Sequence, residues 1–158
     1  MRRFAVLSFI LLALAALASI QSCKAIQRLL PATEVTDPAE GTPEYVIQQI
    51  IIAGMAKDSD DGWKLFRPWL HSEELDSPAS EKNWRQFNFE ALHRNVKLYL
   101  EDPTLPIYKI DYDEETDGGR QHRWFIVNQK SDMPSPVVMK PDPKADGEWR
   151  VKRMSLGL

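Results

Sequence analysis

Tyr108-Lys109-Ile110-Asp111-Tyr112-Asp113 is where this chain changes its period. Apolar and polar residues alternate there, as on a half-buried strand whose successive side chains point to opposite faces. Asp117-Gly118-Gly119 follows as a turn signal, since these residue types accept the positive φ of a tight hairpin. Residues 123–127 predict the return strand. Trp124 and Ile126 lie on one of its faces, Phe125 and Val127 on the other. Two apolar faces mark a strand central to its sheet. Val137-Val138-Met139 predicts a third strand, Asp146-Gly147 the next turn, and residues 148–156 the last strand.

Upstream of that stretch the spacing is helical. Thr42-Pro43-Glu44 combines an N-cap, a first-turn proline and an early acid, a strong start signal. Val46, Ile47, Ile50, Ile51, Gly54 and Met55 then recur on one face, to an end near Lys57. Ser59 or Asp60 is positioned to cap a second, shorter helix carrying Trp63, Phe66, Trp69 and Leu70. Pro68 lies inside it and is expected to bend or end its last turn. Ser80-Glu81 opens a third and longer helix with Trp84, Phe87, Ala91, Leu92, Val96 and Tyr99 on one side. Pro103 and Pro106 close the helical region. The expected fold class is α+β: three N-terminal helices packed on a curved four-stranded antiparallel sheet, over residues 43–158.

The opposite end of the chain carries a different kind of signal. Arg2 and Arg3 precede an uncharged apolar run of about 14 residues, which is the layout of a secretory signal. The run is shorter than the roughly 20 residues of a spanning helix. It ends in Ser19-Ile20-Gln21-Ser22-Cys23, and Cys23 is the single cysteine of the 158 residues. This segment resembles the lipobox of bacterial lipoprotein precursors, with Ile20 and Gln21 where Leu and Ala are usual. The resemblance implies cleavage after Ser22 (residues 1–22 a signal peptide), a diacylglyceryl thioether on Cys23, and a protein held outside the cytoplasm. Two or three acyl chains make a persistent anchor, because each buried CH₂ contributes about 0.8 kcal/mol. Lys24 is not the Asp that tends to retain such proteins at the inner membrane. The expected location is therefore the outer membrane, where the source has one. Residues 23–42 read as a flexible tether with Pro31, Pro38 and Gly41.

Removing the leader takes away two arginines and no acid, so the formal charge moves from −3 to −5. An acidic balance argues against a nucleic-acid role and gives no polybasic membrane patch. One cysteine permits no internal disulfide, so the core must supply the stability.

The helix-then-meander order resembles the NTF2-like fold, over roughly residues 43–158. Gly62-Trp63 and Phe66 would enter the cone, and Asp146-Gly147-Glu148-Trp149-Arg150-Val151 resembles a closing strand. A cystatin-like α+β arrangement is the alternative. The NTF2-like resemblance implies a curved sheet wrapped around a helix with a pocket at the wide end, but fold alone does not assign a function.

No catalytic motif stands out. His71, His93 and His122 lack metal-ligand spacing, so neither a metal nor a cofactor is expected. Asp111, Asp113, Glu114, Glu115 and Asp117 lack the calcium-loop pattern and read as a solvated hairpin tip. A base inside the cone would need a buried carboxyl or His, with a donor from among Tyr45, Tyr99, Tyr108 and Tyr112. Alternation turns Asp111 away from Tyr108 and Tyr112, so no catalytic residue is assigned. Trp63, Phe66, Trp69, Trp84, Phe87, Trp124 and Trp149 either fill the core or wall a cavity; Trp63, Trp69 and Trp124 are the candidate contacts for an apolar small molecule. Arg120, His122 and Arg123 lie on one hairpin arm, and Arg150, Lys152 and Arg153 on the last strand. Of these, Arg123, Arg150 and Lys152 are candidate contacts for an anionic envelope partner, against the simpler reading of a charged, solvated edge.

These observations favour a non-enzymatic ligand- or partner-binding module anchored in the envelope. A small isomerase- or dehydratase-type enzyme and a structural subunit of an envelope complex are the alternatives. Intact mass spectrometry of the membrane-extracted protein is expected to show a chain beginning at Cys23 with added acyl mass. Cys23→Ser is expected to leave an unprocessed or released protein. A wild-type mass without acyl groups would overturn the anchoring.

Overall fold

Thr42 opens the helical half as its sequence predicts. In the computed structural model, which describes residues 31–158, its hydroxyl oxygen accepts a hydrogen bond from the Tyr45 amide at 3.2 Å. The expected signal peptide, Cys23 and the first part of the expected tether lie outside the described residues. Helix α1 (Pro43–Gly54) buries Val46, Ile47, Ile50, Ile51 and Ala53. Helix α2 (Ser59–Phe66) is capped by Asp58, not by Ser59 or Asp60: the Asp58 carboxylate accepts from the Asp60 and Asp61 amides at 2.9 and 3.1 Å. Gly62 lets α1 and α2 approach closely. A Cβ there would stand 2.6 Å from the Ala53 carbonyl oxygen and 2.8 Å from the Phe89 ring.

Pro68 ends α2 in a 3₁₀ turn, Arg67–Trp69, and the chain leaves it extended. Leu70 then lies alongside Val151 in a parallel bridge, and the His71 amide donates to the Val151 carbonyl at 2.9 Å. Short helices α3 (Ser72–Leu75) and α4 (Pro78–Asn83) follow. What reads as one long third helix is broken by a π-helical turn, Trp84–Phe89, before α5 (Glu90–Asn95) and a last 3₁₀ turn, Val96–Tyr99. The π turn advances the buried face by five residues, from Trp84 to Phe89. Phe87, expected on the apolar side, is consequently 63% exposed.

The sheet has five antiparallel strands in sequence order: β1 (Thr33–Val35), β2 (Tyr108–Thr116), β3 (Gln121–Asn128), β4 (Ser131–Asp142) and β5 (Glu148–Met154). Strands β2 to β5 are the expected four-stranded meander. β1 adds a fifth within the segment read as tether, pairing Thr33 with Ile110 and Val35 with Tyr108. Three residues are too few to show a period, so the strand leaves no signal in the sequence.

One face of the sheet carries Tyr108, Ile110, Trp124, Ile126, Val137, Met139 and Val151 into the core. Phe66, Phe89 and Leu92 meet them from the helical side, fully buried. The buried hydroxyls are satisfied: Tyr108 donates to the Glu44 carbonyl at 2.7 Å, and Tyr99 accepts from the Gly157 amide at 2.8 Å. Trp84, 5% exposed, lies against Phe66 with ring centroids 6.2 Å apart, and its indole N–H donates to Glu74 at 2.9 Å. Trp84→Ala is expected to destabilise by about 3–5 kcal/mol in urea unfolding, as other buried aromatic truncations do. Gly62→Ala is also expected to lower the urea midpoint, because one contact it creates is with rigid backbone. A wild-type midpoint in either variant would overturn the packing described.

Candidate functional site

A bulge in β2 decides what meets what at the hairpin end of the sheet. Ile110 pairs with Ile126, but Tyr112 pairs with Phe125, so Asp111 is the extra residue. Beyond it the alternation is reversed. Tyr112 turns away from the core and stacks on Phe125 at 4.1 Å, while Asp113 turns to the face of Trp124 and His122. The acid brought to a histidine is therefore Asp113, not Asp111: its Oδ2 lies 2.5 Å from His122 Nε2. The imidazole stacks on Trp124 at 4.2 Å, and Trp149 stands edge-on to both rings, 6.4 Å from His122 and 5.7 Å from Trp124.

Trp149 also walls a small cleft with Tyr45 and Trp69. Three local causes place these rings. The Thr42 cap fixes Tyr45 in the first turn of α1, Pro68 forces the turn that presents Trp69, and the Asp146-Gly147 turn, with φ of 52° and 81°, feeds Trp149 into β5. Tyr45 and Trp69 meet edge to face at 5.9 Å. The Arg150 guanidinium sits 5.2 Å from the Trp69 ring centre, within cation–π range. Its side chain is only 14% exposed and is held by Glu148 at 2.6 Å and by the Trp149 carbonyl at 3.0 Å. The cleft encloses about 70 Å³, far below the roughly 300–1,000 Å³ of small-molecule sites.

The three tryptophans singled out from sequence do not share a cavity. Trp63 is 7% exposed within the helical layer, 5.8 Å from Phe66 and 5.7 Å from Phe89. Trp124 is 3% exposed and forms the floor beneath His122 and Trp149. Of the three, Trp69 alone lines the cleft. Trp149, a member of the aromatic set read as core or cavity wall, joins it there, and so does Tyr45, read only as a possible hydroxyl donor; the cleft draws on elements distant in sequence and no local pattern announces it.

The candidate cationic contacts are already occupied. Arg123 pairs with Glu114 at 3.0 Å, Arg150 with Glu148, and Lys152 with Glu73 at 2.9 Å and with Glu74. The acidic hairpin arm is paired in the same way, with Arg120 on Asp117 at 2.8 Å. Among the described residues no group of three or more His, Cys, Asp or Glu could hold a metal ion. His71 is fully buried. Its Nδ1 accepts from the Glu73 amide at 3.2 Å, while Nε2 has no hydrogen-bond partner among the described residues. Next to it, Asp142 accepts from the Ser72 amide at 2.6 Å, the Ser72 hydroxyl at 2.8 Å and the Lys144 amide at 2.9 Å. These contacts tie α3 to β4.

Comparison with family models, with curated proteins and with solved structures returns no match.

The pairs around α3 set an acid limit. Lys152 and Lys140 pull the Glu73 carboxyl down to about 2. Burial alone would raise Asp142, but the Lys144 and Ser72 hydrogen bonds and nearby His71 outweigh it and hold the carboxyl below its ordinary value. A carboxyl depressed in the folded state adds stability above its unfolded value and loses it as pH falls through its folded value. The melting temperature is therefore expected to drop between pH 4.5 and about 2, and Glu73→Gln with Asp142→Asn should flatten that limb. An unchanged acid limb in the double variant would place the titration elsewhere.

Proposed function

We propose that this protein is a lipid-anchored, extracytoplasmic binding module of NTF2-like fold that docks a protein partner at the Tyr45–Trp69–Trp149 cleft. The observation that carries this reading is the filled interior. The large side chains facing inward, among them Tyr99, Tyr108, Phe66, Phe89, Ile126, Met139 and Leu156, are fully buried. The space between helices and sheet is occupied by side chains buried to that extent, which argues against an apolar small molecule held there. The aromatic surface lies at its mouth instead, and Trp, Tyr and Arg are the residues that dominate binding energy in protein interfaces. An anionic partner held by Arg123, Arg150 and Lys152 is less favoured, because it would have to displace carboxylates already paired with them.

The Asp113–His122 pair favours a second reading. A carboxylate on one imidazole nitrogen leaves the other to take or give a proton, the chemistry of a small isomerase or dehydratase. In that case His122→Gln should abolish turnover of a substrate yet to be found while leaving the melting temperature near wild type.

The docking reading is tested in cells with a photo-reactive phenylalanine in place of Tyr45. A discrete adduct is expected, to disappear when Trp149→Ala is added, with no equivalent adduct from the same group at Leu65, which is 53% exposed on α2. An adduct indifferent to Trp149 would remove the cleft from the docking surface.

A further inference from the structure

We propose that the cleft takes a proline-rich segment in the polyproline II conformation, with a basic residue at its flank; this rests on the cleft being the docking surface. The chemistry of the unused groups points to it. Among the described residues no hydrogen bond involves the Tyr45 hydroxyl or the indole N–H of Trp69 or Trp149, and none of these atoms is buried. An indole N–H only donates, and a guanidinium only donates. The walls therefore offer donors, and the occupant that suits them brings acceptors and few donors of its own.

Polyproline II is that occupant. It has no internal hydrogen bonds, so its carbonyls are free, and each proline lacks an N–H. A saccharide brings hydroxyl donors in equal number, and of the two carboxylates at the cleft Glu148 is already taken by Arg150. A segment adding as a β-strand needs a free strand edge, and beside Val151 that edge of β5 is already taken by Leu70 and His71. The cleft's about 70 Å³ suits one ring-sized side chain, with Tyr45 crossing Trp69 at 77° as a ridge beside it. Aromatic ridges with indole donors are how proline-rich segments are gripped in general.

Charge supplies the flank. Glu40 and Glu148 border the cleft. Glu148 already holds Arg150, whereas Glu40 makes no ion pair among the described residues. A lysine or arginine next to the prolines would complement Glu40. Arg150 itself is fixed before anything binds, by Glu148, the Trp149 carbonyl and the Trp69 face, so little side-chain entropy remains to be lost there.

The test uses the full-length protein extracted in mild detergent. Calorimetric titration compares a capped repeat-proline peptide ending in arginine with a peptide in which the prolines are replaced by alanine. Saturable binding of the proline peptide is expected, at least about tenfold tighter than the alanine peptide. Trp149→Phe and Tyr45→Phe, which keep a ring and remove the donor, should each weaken the proline peptide by about tenfold with unchanged melting temperatures. Equal affinity for the two peptides, no binding of either, or full affinity in both Phe variants would overturn the proposal. The crosslinking experiment separates the two levels of failure. A Trp149-dependent adduct without proline-peptide binding leaves the docking surface standing and removes only its occupant. The absence of both removes the docking surface as well.

Discussion

One buried sheet face imposes a phase on every strand, and a single inserted residue resets that phase. This constraint organises the molecule. At Asp111 the insertion exchanges the faces of β2, so that Tyr108 and Ile110 fill the core while Asp113, beyond it, reaches His122. The register between β4 and β5 slips in the same way: Val138 pairs with Arg153 and Met139 with Val151, leaving Lys152 as the extra residue. Lys152 then reaches Glu73 and Glu74. In the helical layer the π turn does for a period of 3.6 what a bulge does for a period of two. It lets Trp84 and Phe89 both pack inward at a spacing no α-helix would allow on one face.

These insertions explain which parts of the structure are legible in the sequence. Strong, uninterrupted periods are read correctly: the Thr42 cap, the apolar face of α1, the break at Pro68, the two glycine turns and the order of β2 to β5. Several misreadings sit at a phase change. Phe87 fits an α-helical face and ends in solvent. Asp111 fits an alternation that its own insertion ends. Asp113 looks like one of several solvated hairpin acids until the register places it beside His122. β1 is missed for a different reason, because pairing with β2 gives three residues a strand conformation that their own pattern does not specify.

The cleft was legible only as its separate parts. The residue types were visible, a proline-forced turn bearing Trp69 and a closing strand bearing Trp149-Arg150. Their meeting depends on Leu70 and His71 running beside Val151. That contact joins the end of the helical layer to β5 and covers part of an edge strand that would otherwise expose unpaired backbone. The same junction seats Ser72 on Asp142 and buries His71. Packing α3 against the sheet and presenting Trp69 are thus two results of one short stretch of chain.

The extra strand also bears on the mechanics of the proposed anchoring. If Cys23 carries a lipid, ten Cα–Cα steps, through the nine residues 24–32, lie between it and the first residue of the sheet, Thr33. Fully drawn out, they reach ~35 Å. The expected tether ran to residue 42 and would have let the domain roam about twice as far. On the proposed anchoring, a leash this short would hold the domain close to the membrane surface, and a partner would have to come to the membrane to be met.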